Sequence, residues 1–409
     1  MSSIGPLRLF NKPFQARFVK RPNRFLVECA SNGRSLRAFL PNPGRLQELL
    51  FPGAVLYLVE DSLNPLRKTS LTVVAVERNG IPIMLHTHRT NQVARFLIEN
   101  GLIPALRDAS VVKAEATVGR SRFDFLLHDS RREVYLEVKS CTLVGENVAM
   151  FPDAVTARGA RHLQELSTLS SEGKRAVVLF IVHWPFADIF MPDYHTDLYF
   201  AQTLLKVRNS VEVVPVSVRW NHDLSLGQGV RILSIPWAYI EREAHDTGSY
   251  LIVLQLGEDK RINVGKLGTV LFKKGFYVYV GSAMVNLTSR IERHQRLRKT
   301  FHWHIDFLRD SADFVCAFAI RSSDRLECEI ARSVSKIAQW SVKGFGSSDC
   351  TCATHLFGFT NNPASLPSFQ KLLQYFRMDR YGGEGGTNEK GVKTAKEIKP
   401  GNETADEHR

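Results

Sequence analysis

A chain of 409 residues exceeds one ordinary domain, and at about 150 residues per domain it divides into two or three. Its 44% hydrophobic and 10% aromatic content is globular and excludes a mostly disordered or low-complexity chain. A net charge of +13 fits a polyanionic partner, most commonly a phosphate backbone, or else a merely basic soluble protein. No stretch offers the ~18 consecutive apolar residues of a membrane span, and the N-terminus lacks the apolar core of a secretory signal. Six cysteines in a chain this long do not make a disulfide scaffold. These features predict a cytoplasmic protein with no membrane partner.

Residues 1–70 hold eleven Lys and Arg against four Asp and Glu, several of them interleaved with apolar residues, as in Arg17-Phe18-Val19-Lys20-Arg21. Short strands recur there: Phe25 to Cys29, then an Asn32-Gly33 turn, then 35–40, 54–59 and 71–76. Residues 1–85 therefore read as a small β-barrel of the oligonucleotide-binding (OB) kind. Arg17, Lys20, Arg21, Arg24 and Arg45 are its candidate nucleic-acid contacts. Residues 86–240 alternate strands and helices: a helix at 91–100, strands at 111–116, 122–128 and 133–139, a helix at 154–170, a strand at 176–182, a helix at 197–209 and a strand at 211–218. That order predicts an α/β domain with a mixed or parallel sheet. Residues 221–247 read as a connection. A third, α+β domain over 246–380 has strands at 249–256 and 276–280, a basic helix at 287–298 and another at 324–339. Residues 381–409, rich in Gly, Lys, Glu and Thr, read as a disordered tail.

The first chemical constellation lies at 115–162. Glu137 and Lys139 are two apart on a strand and leave the same face, and Asp124 on the neighbouring strand can reach it. Two converging carboxylates can hold Mg²⁺ or Mn²⁺, and a lysine beside them can orient the water that attacks phosphorus. An Asp, a gap of twelve and Glu-x-Lys is the spacing of the PD-(D/E)xK nuclease core, with Glu115 a candidate additional acid. The same pattern also suits two charges on a solvated strand edge. Arg158 and His162, four apart on the next helix, can contact phosphate or simply line a solvated face, and Arg122 is a further basic candidate.

Pro41-Asn42-Pro43-Gly44-Arg45, Ser121-Arg122-Phe123-Asp124-Phe125, Glu137-Val138-Lys139-Ser140 and Phe151-Pro152-Asp153-Ala154-Val155-Thr156-Ala157-Arg158-Gly159 together resemble the sugar fermentation stimulation protein (SfsA) family over roughly residues 5–235. The resemblance implies an OB-like barrel followed by a PD-(D/E)xK nuclease-like domain, DNA binding and Mg²⁺-dependent nuclease activity. It puts the acidic and lysine positions on Asp124, Glu137 and Lys139. The family's sugar-metabolism name keeps open a regulatory, non-catalytic DNA-binding role.

In the third domain, a tyrosine ending a strand, a glycine that lets the chain turn and an arginine on the next helix suit a phosphate site. They equally suit an edge strand beside a basic surface helix. Phe276-Tyr277-Val278-Tyr279-Val280-Gly281-Ser282-Ala283, His302-Trp303-His304-Ile305-Asp306, Glu327-Cys328-Glu329 and Gly344-Phe345-Gly346-Ser347-Ser348-Asp349-Cys350-Thr351-Cys352 resemble a GIY-YIG nuclease domain of the DUF123 subgroup over about 246–360. This resemblance implies Tyr250 and Tyr279 as the motif tyrosines, Arg290 as the phosphate-contacting arginine, and a metal-binding glutamate, Glu329 in preference to Glu327. The first motif reads Gly-Ser-Tyr and the tyrosines stand 29 residues apart, so an insertion at 257–275 departs from the pattern. Arg293 and His294 share the helix with Arg290 and join the candidate nucleic-acid contacts. Cys350, Cys352 and His355 have zinc-ligand residue types, with Cys328 available as a fourth, although buried thiols would look the same. The combined expectation is a multidomain, metal-dependent nuclease acting on DNA or RNA.

Overall fold

The computed structural model describes residues 5–60, 69–119 and 121–381, so the tail expected at 381–409 lies, beyond its first residue, outside the described residues. The barrel comprises β1 (Phe14–Asn23), β2 (Leu26–Ser31), β3 (Arg34–Phe39), β4 (Val55–Glu60), β5 (Leu71–Arg78) and β6 (Ile81–Met84). The strand order is β3-β2-β1-β4-β5-β6, and a parallel β3–β5 pairing closes the first five into an OB-like barrel. Alternation sets its interior: Ala16 and Phe18 of β1 and Val27 and Cys29 of β2 point inward, while Arg17, Lys20 and Arg24 face out.

The next unit follows with α1 (Thr90–Glu99), β7 (Ser110–Val118), β8 (Ser121–His128), β9 (Glu133–Cys141), β10 (Leu143–Val144), β11 (Val148–Phe151), α2 (Ala157–Ser171), β12 (Arg175–Val182), β13 (Ile189–Pro192), α3 (Leu198–Val207) and β14 (Glu212–Ser217). With β15 (Arg231–Ile232), six strands order as β15-β14-β12-β9-β8-β7, and β12 runs parallel to both neighbours. The β12 sequence RAVVLFIV is buried from its second residue onward, as a strand covered on both faces must be. Helix α1 packs against β7 and β9, while α2 packs against β8, β9 and β12. The stretch read as a connection is structured: it holds β15 and α4 (Trp237–Glu243), whose Ile240 and Glu243 are buried.

The last unit contains β16 (Gly248–Leu256), β17 (Lys260–Asn263), β18 (Thr269–Phe272), β19 (Gly275–Ala283), α5 (Leu287–Gln295), α6 (His304–Arg309), β20 (Asp313–Arg321), α7 (Glu327–Ser335), β21 (Trp340–Ser341), β22 (Leu356–Phe359) and α8 (Pro367–Gln374). Its antiparallel sheet runs β20-β16-β19-β22-β21, and the insertion at 257–275 folds as a separate β17–β18 hairpin that leaves the β16–β19 pairing unbroken. The segment after α8 docks this unit onto the second. Half-buried Arg377 donates to Ala319 O (3.0 and 2.8 Å), and His195 accepts from Arg321 N (2.9 Å) while donating to Arg377 O (3.0 Å). Among the described residues no helix is long and apolar enough to cross a membrane.

Candidate active site

Two clefts carry the chemistry-bearing residues. The first opens where β8 leaves β9. The two strands pair only from Phe125↔Leu136 to His128↔Glu133. Asp124 comes next, and its Oδ2 accepts the Val138 N–H (2.8 Å) on the β9 edge that β8 has vacated. Its Oδ1 accepts from Asn91 Nδ2 of α1 (2.7 Å), a contact no sequence motif announces. Burial, then the nearby Glu137 charge, raises the Asp124 carboxyl above its ordinary value against these two hydrogen bonds.

Glu137 and Lys139 share a face of β9, as their spacing requires. Lys139 Nζ donates to Glu137 Oε1 at 2.5 Å, and His162 of α2 reaches the same oxygen at 2.5 Å. Arg158 Nε can only donate, and it donates to His162 Nε2 (3.3 Å), which leaves the ring proton on Nδ1, aimed at Glu137. Burial alone would raise the Glu137 carboxyl; the His162 hydrogen bond and the Lys139 charge outweigh it and hold it below its usual range. Glu137 Oε2 is buried and, among the described residues, has no hydrogen-bond partner. His162, expected as a phosphate contact, is therefore a buried support for Glu137, and Arg158 lines the cleft. Glu115 is not brought in: it lies exposed on edge strand β7, paired with Arg122 at 3.4 Å.

The barrel supplies the cleft's other wall. Arg21, expected to face nucleic acid, turns its guanidinium onto four carbonyls: Arg24 O (2.6 Å), Gly44 O (2.7 Å), Arg45 O (2.8 Å) and Asn42 O (3.0 Å). It thereby fixes the 42–45 loop beside Asp153. A side chain at Gly44 is excluded, because a Cβ there would stand 2.0 Å from Asp153 Oδ2. Burial, then Asp193, pushes the Asp153 carboxyl up to about 6. Arg17 is tied to Gly53 O (3.1 Å) and Lys20 to Glu28 (3.1 Å), while Arg24 and Arg45 are exposed.

The second cleft lies on the β16–β19 sheet. Tyr250 stands opposite Gly281 and Tyr279 opposite Ile252, with the two phenol rings 6.3 Å apart. Gly281 is not at a turn. It sits inside β19, where a Cβ would come within 2.5 Å of the Tyr250 ring, so glycine makes room for the phenol. Tyr250 Oη meets His294 Nε2 at 3.0 Å, and burial holds both phenols above the ordinary tyrosine range. Arg290 lines this cleft, stacked on Trp303 at 4.3 Å. Its two expected companions turn inward. His294 is buried, and Arg293 donates twice to buried Asp306 (3.1 Å each), which Lys299 also meets at 2.9 Å. Of the two glutamates, Glu327 lines the cleft, held by Ser282 Oγ and by His355 Nδ1 (3.0 Å), whereas Glu329 does not line it.

Comparison with known proteins matches three consecutive segments. Residues 19–85 match the SfsA N-terminal OB domain, 88–223 the sugar fermentation stimulation protein RE domain, and 249–378 a domain of unknown function, DUF123. A sugar fermentation stimulation protein homolog of Methanothermobacter thermautotrophicus is 35% identical over 231 residues, which is 96% of that chain and 56% of this one. The homolog from Moorella thermoacetica is 43% identical over 191 residues, 82% of its length and 46% of this chain. Among solved structures, Pyrococcus furiosus SfsA in complex with Ca²⁺ aligns with a TM-score of 0.52 at 29% identity, over 99% of that chain and 57% of this one.

Proposed function

Since the chain belongs to the sugar fermentation stimulation protein family and carries a DUF123 segment behind the family's two domains, we propose that it is a divalent-metal-dependent nuclease hydrolysing nucleic-acid phosphodiesters. The observation that carries this reading is Glu137 Oε2, a buried carboxylate oxygen without a partner among the described residues, beside a second, half-buried carboxylate and a lysine. Lys139 and His162 both engage Oε1, so the bare Oε2 beside Asp124 offers a ligand position for a cation. The donors are hard oxygens, which fit Mg²⁺ or Mn²⁺, and the relative from Pyrococcus furiosus was solved with Ca²⁺. Asp124 and Glu137 would hold the ion, which when bound neutralises phosphate charge and activates a water. Asn91 and the Val138 N–H orient Asp124, while His162 and Lys139 engage Glu137 Oε1 and leave Oε2 for the ion. The Lys139 ammonium stands beside both carboxylates, able to meet a phosphate oxygen or orient the attacking water. Exposed Arg24, Arg45 and Arg158 provide backbone grip, which makes binding salt-dependent and weakly sequence-specific.

The Tyr250, Tyr279, Arg290 and Glu327 cleft supports a second nuclease-like centre on the same chain. There the guanidinium faces the charge that develops on phosphorus, and a phenol relays a proton.

The test is a screen of end-labelled DNA and RNA structures with Mg²⁺, Mn²⁺ or chelator, run on the parent, Asp124→Asn, Glu137→Gln and Tyr279→Phe. Cleavage lost in the first two variants with binding retained supports the reading. Tight complexes in Mg²⁺ with no new ends on any substrate replace it with a non-catalytic DNA-binding regulator. Cutting that survives Asp124→Asn and Glu137→Gln but not Tyr279→Phe moves the chemistry to the second cleft.

A further inference from the structure

Beside the second cleft lies a cluster that the reading above does not use. Cys350 and Cys352 sit on the loop between β21 and β22, His355 immediately precedes β22, and Cys328 is the second residue of α7. One ligand atom from each of the four lies within 4.8 Å of all the others. Cys350 Sγ is 3.5 Å from His355 Nε2. A tetrahedral zinc with bonds of ~2.3 Å to sulfur and ~2.0–2.1 Å to nitrogen sets its ligand atoms about 3.5–3.8 Å apart. The cluster is thus already at that spacing in one pair, and the other pairs lie within 4.8 Å. The three thiols and the imidazole converge without any disulfide, since all three cysteines are free. Three sulfurs and an imidazole are soft to borderline donors, which select zinc over the hard ions suited to Asp124 and Glu137.

His355 supplies the second observation. Its ring is buried, and while Nε2 faces the sulfurs, Nδ1 meets Glu327 Oε1 at 3.0 Å. A metal-ligating histidine characteristically donates its other N–H to a carboxylate, which fixes both tautomer and ring orientation. Here that carboxylate belongs to the glutamate that lines the Tyr250–Tyr279 cleft. Glu327 and Cys328 are also consecutive in the first turn of α7, so a bond at Cys328 anchors the backbone that carries Glu327.

We propose that Cys328, Cys350, Cys352 and His355 bind a structural zinc ion which, through His355 and the first turn of α7, positions Glu327 in the cleft. Four protein ligands close the coordination shell and leave no open position for substrate. Zinc binding stands independently of the nuclease reading; only its consequence for cleavage rests on that reading.

The test uses the purified full chain. Elemental analysis is expected to find one zinc per chain, and Co²⁺ exchanged for it should give thiolate-to-cobalt charge transfer and the intense visible bands of a tetrahedral site. Cys350→Ser/Cys352→Ser should lose both signals. His355→Cys, which keeps four ligands but removes the N–H to Glu327, should keep the metal and the cobalt spectrum, with an added thiolate contribution, and so controls for misfolding. If the second cleft cleaves, His355→Cys lowers that activity about 10–100-fold, as loss of an orienting partner does. A parent chain that takes up neither zinc nor tetrahedral cobalt, or a cobalt spectrum indifferent to the cysteine substitutions, overturns the zinc site. Metal retained with unchanged cleavage in His355→Cys overturns only the link to Glu327.

Discussion

Replacing His162 by alanine separates a phosphate contact from a support for a metal ligand. The ring is 2% exposed, and its Nδ1–H meets Glu137 Oε1 at 2.5 Å. Removing it leaves Lys139, among the described residues, as the only side chain on that oxygen, and losing such an orienting partner costs about 10–100-fold in metal affinity or activity. The Glu137 carboxyl, which burial alone would raise and His162 and Lys139 hold down, moves back up. A depressed folded value stabilises the protein above the unfolded value and is lost as pH falls through the folded one. The variant therefore lacks part of this contribution at neutral pH, its stability gap to the parent narrows as pH falls, and protonation of Glu137 releases metal at a higher pH than in the parent. The vacated ring volume adds about 2–4 kcal/mol of destabilisation, so His162→Asn, which returns an N–H donor near the same place, is the control and should recover part of the metal affinity. The assay is calorimetric titration of Mn²⁺ alongside DNA affinity measured over a salt series. Unchanged Mn²⁺ affinity, with weaker DNA binding and a salt slope shallower by about one unit, would show that His162 contacts phosphate and that the support role is wrong.

Arg21→Ala strips four carbonyls of their shared donor and should cost about 2–4 kcal/mol, with faster hydrogen exchange at 42–45 but no change in the salt slope of DNA binding. Glu327→Gln should abolish whatever cleavage belongs to the second cleft while Glu329→Gln leaves it near the parent rate, read on substrates that Asp124→Asn still cuts. Asp306→Asn leaves Arg293 and Lys299 facing a neutral group and should lower stability by about 3–5 kcal/mol at neutral pH. Burial alone would raise the Asp306 carboxyl, but the nearby His294 ring, hydrogen bonds from Arg293 and the His302 N–H, and the Lys299 ion pair hold it far down. Its contribution is therefore present above the unfolded value and fades as pH falls, so the gap between variant and parent, followed by thermal melts, should narrow in acid.

Alternation and turn signals sufficed for the barrel strands, and the pairing of Glu137 with Lys139 follows from a two-residue strand period. What alternation could not show is that β8 pairs with β9 only up to Phe125, because that depends on where neighbouring strands diverge. Nor can charge alone separate an arginine that meets phosphate from one that caps carbonyls. Arg21, Arg293 and His294 reach Gly44, Asp306 and Tyr250, which stand 23, 13 and 44 residues away in the chain, contacts that exist only after folding. Glu327 and Glu329 are two apart on a helix, about 200° around its axis, so only the docking of α7 decides which one reaches the cleft. The long spacing between Tyr250 and Tyr279 looked like a disruption. It is a hairpin looped out of an intact strand pair.

The proposed function turns on a divalent cation bound between Asp124 and Glu137 and driving cleavage there. Its most direct test is anomalous diffraction from crystals soaked in Mn²⁺, with cleavage assayed under the same ion. A peak is expected at bonding distance, about 2.0–2.2 Å, from Glu137 Oε2 and an Asp124 oxygen, absent in Glu137→Gln, whose cleavage falls by at least ~10³-fold, equivalent to about 4 kcal/mol. Cleavage that persists with no manganese at these two carboxylates contradicts it.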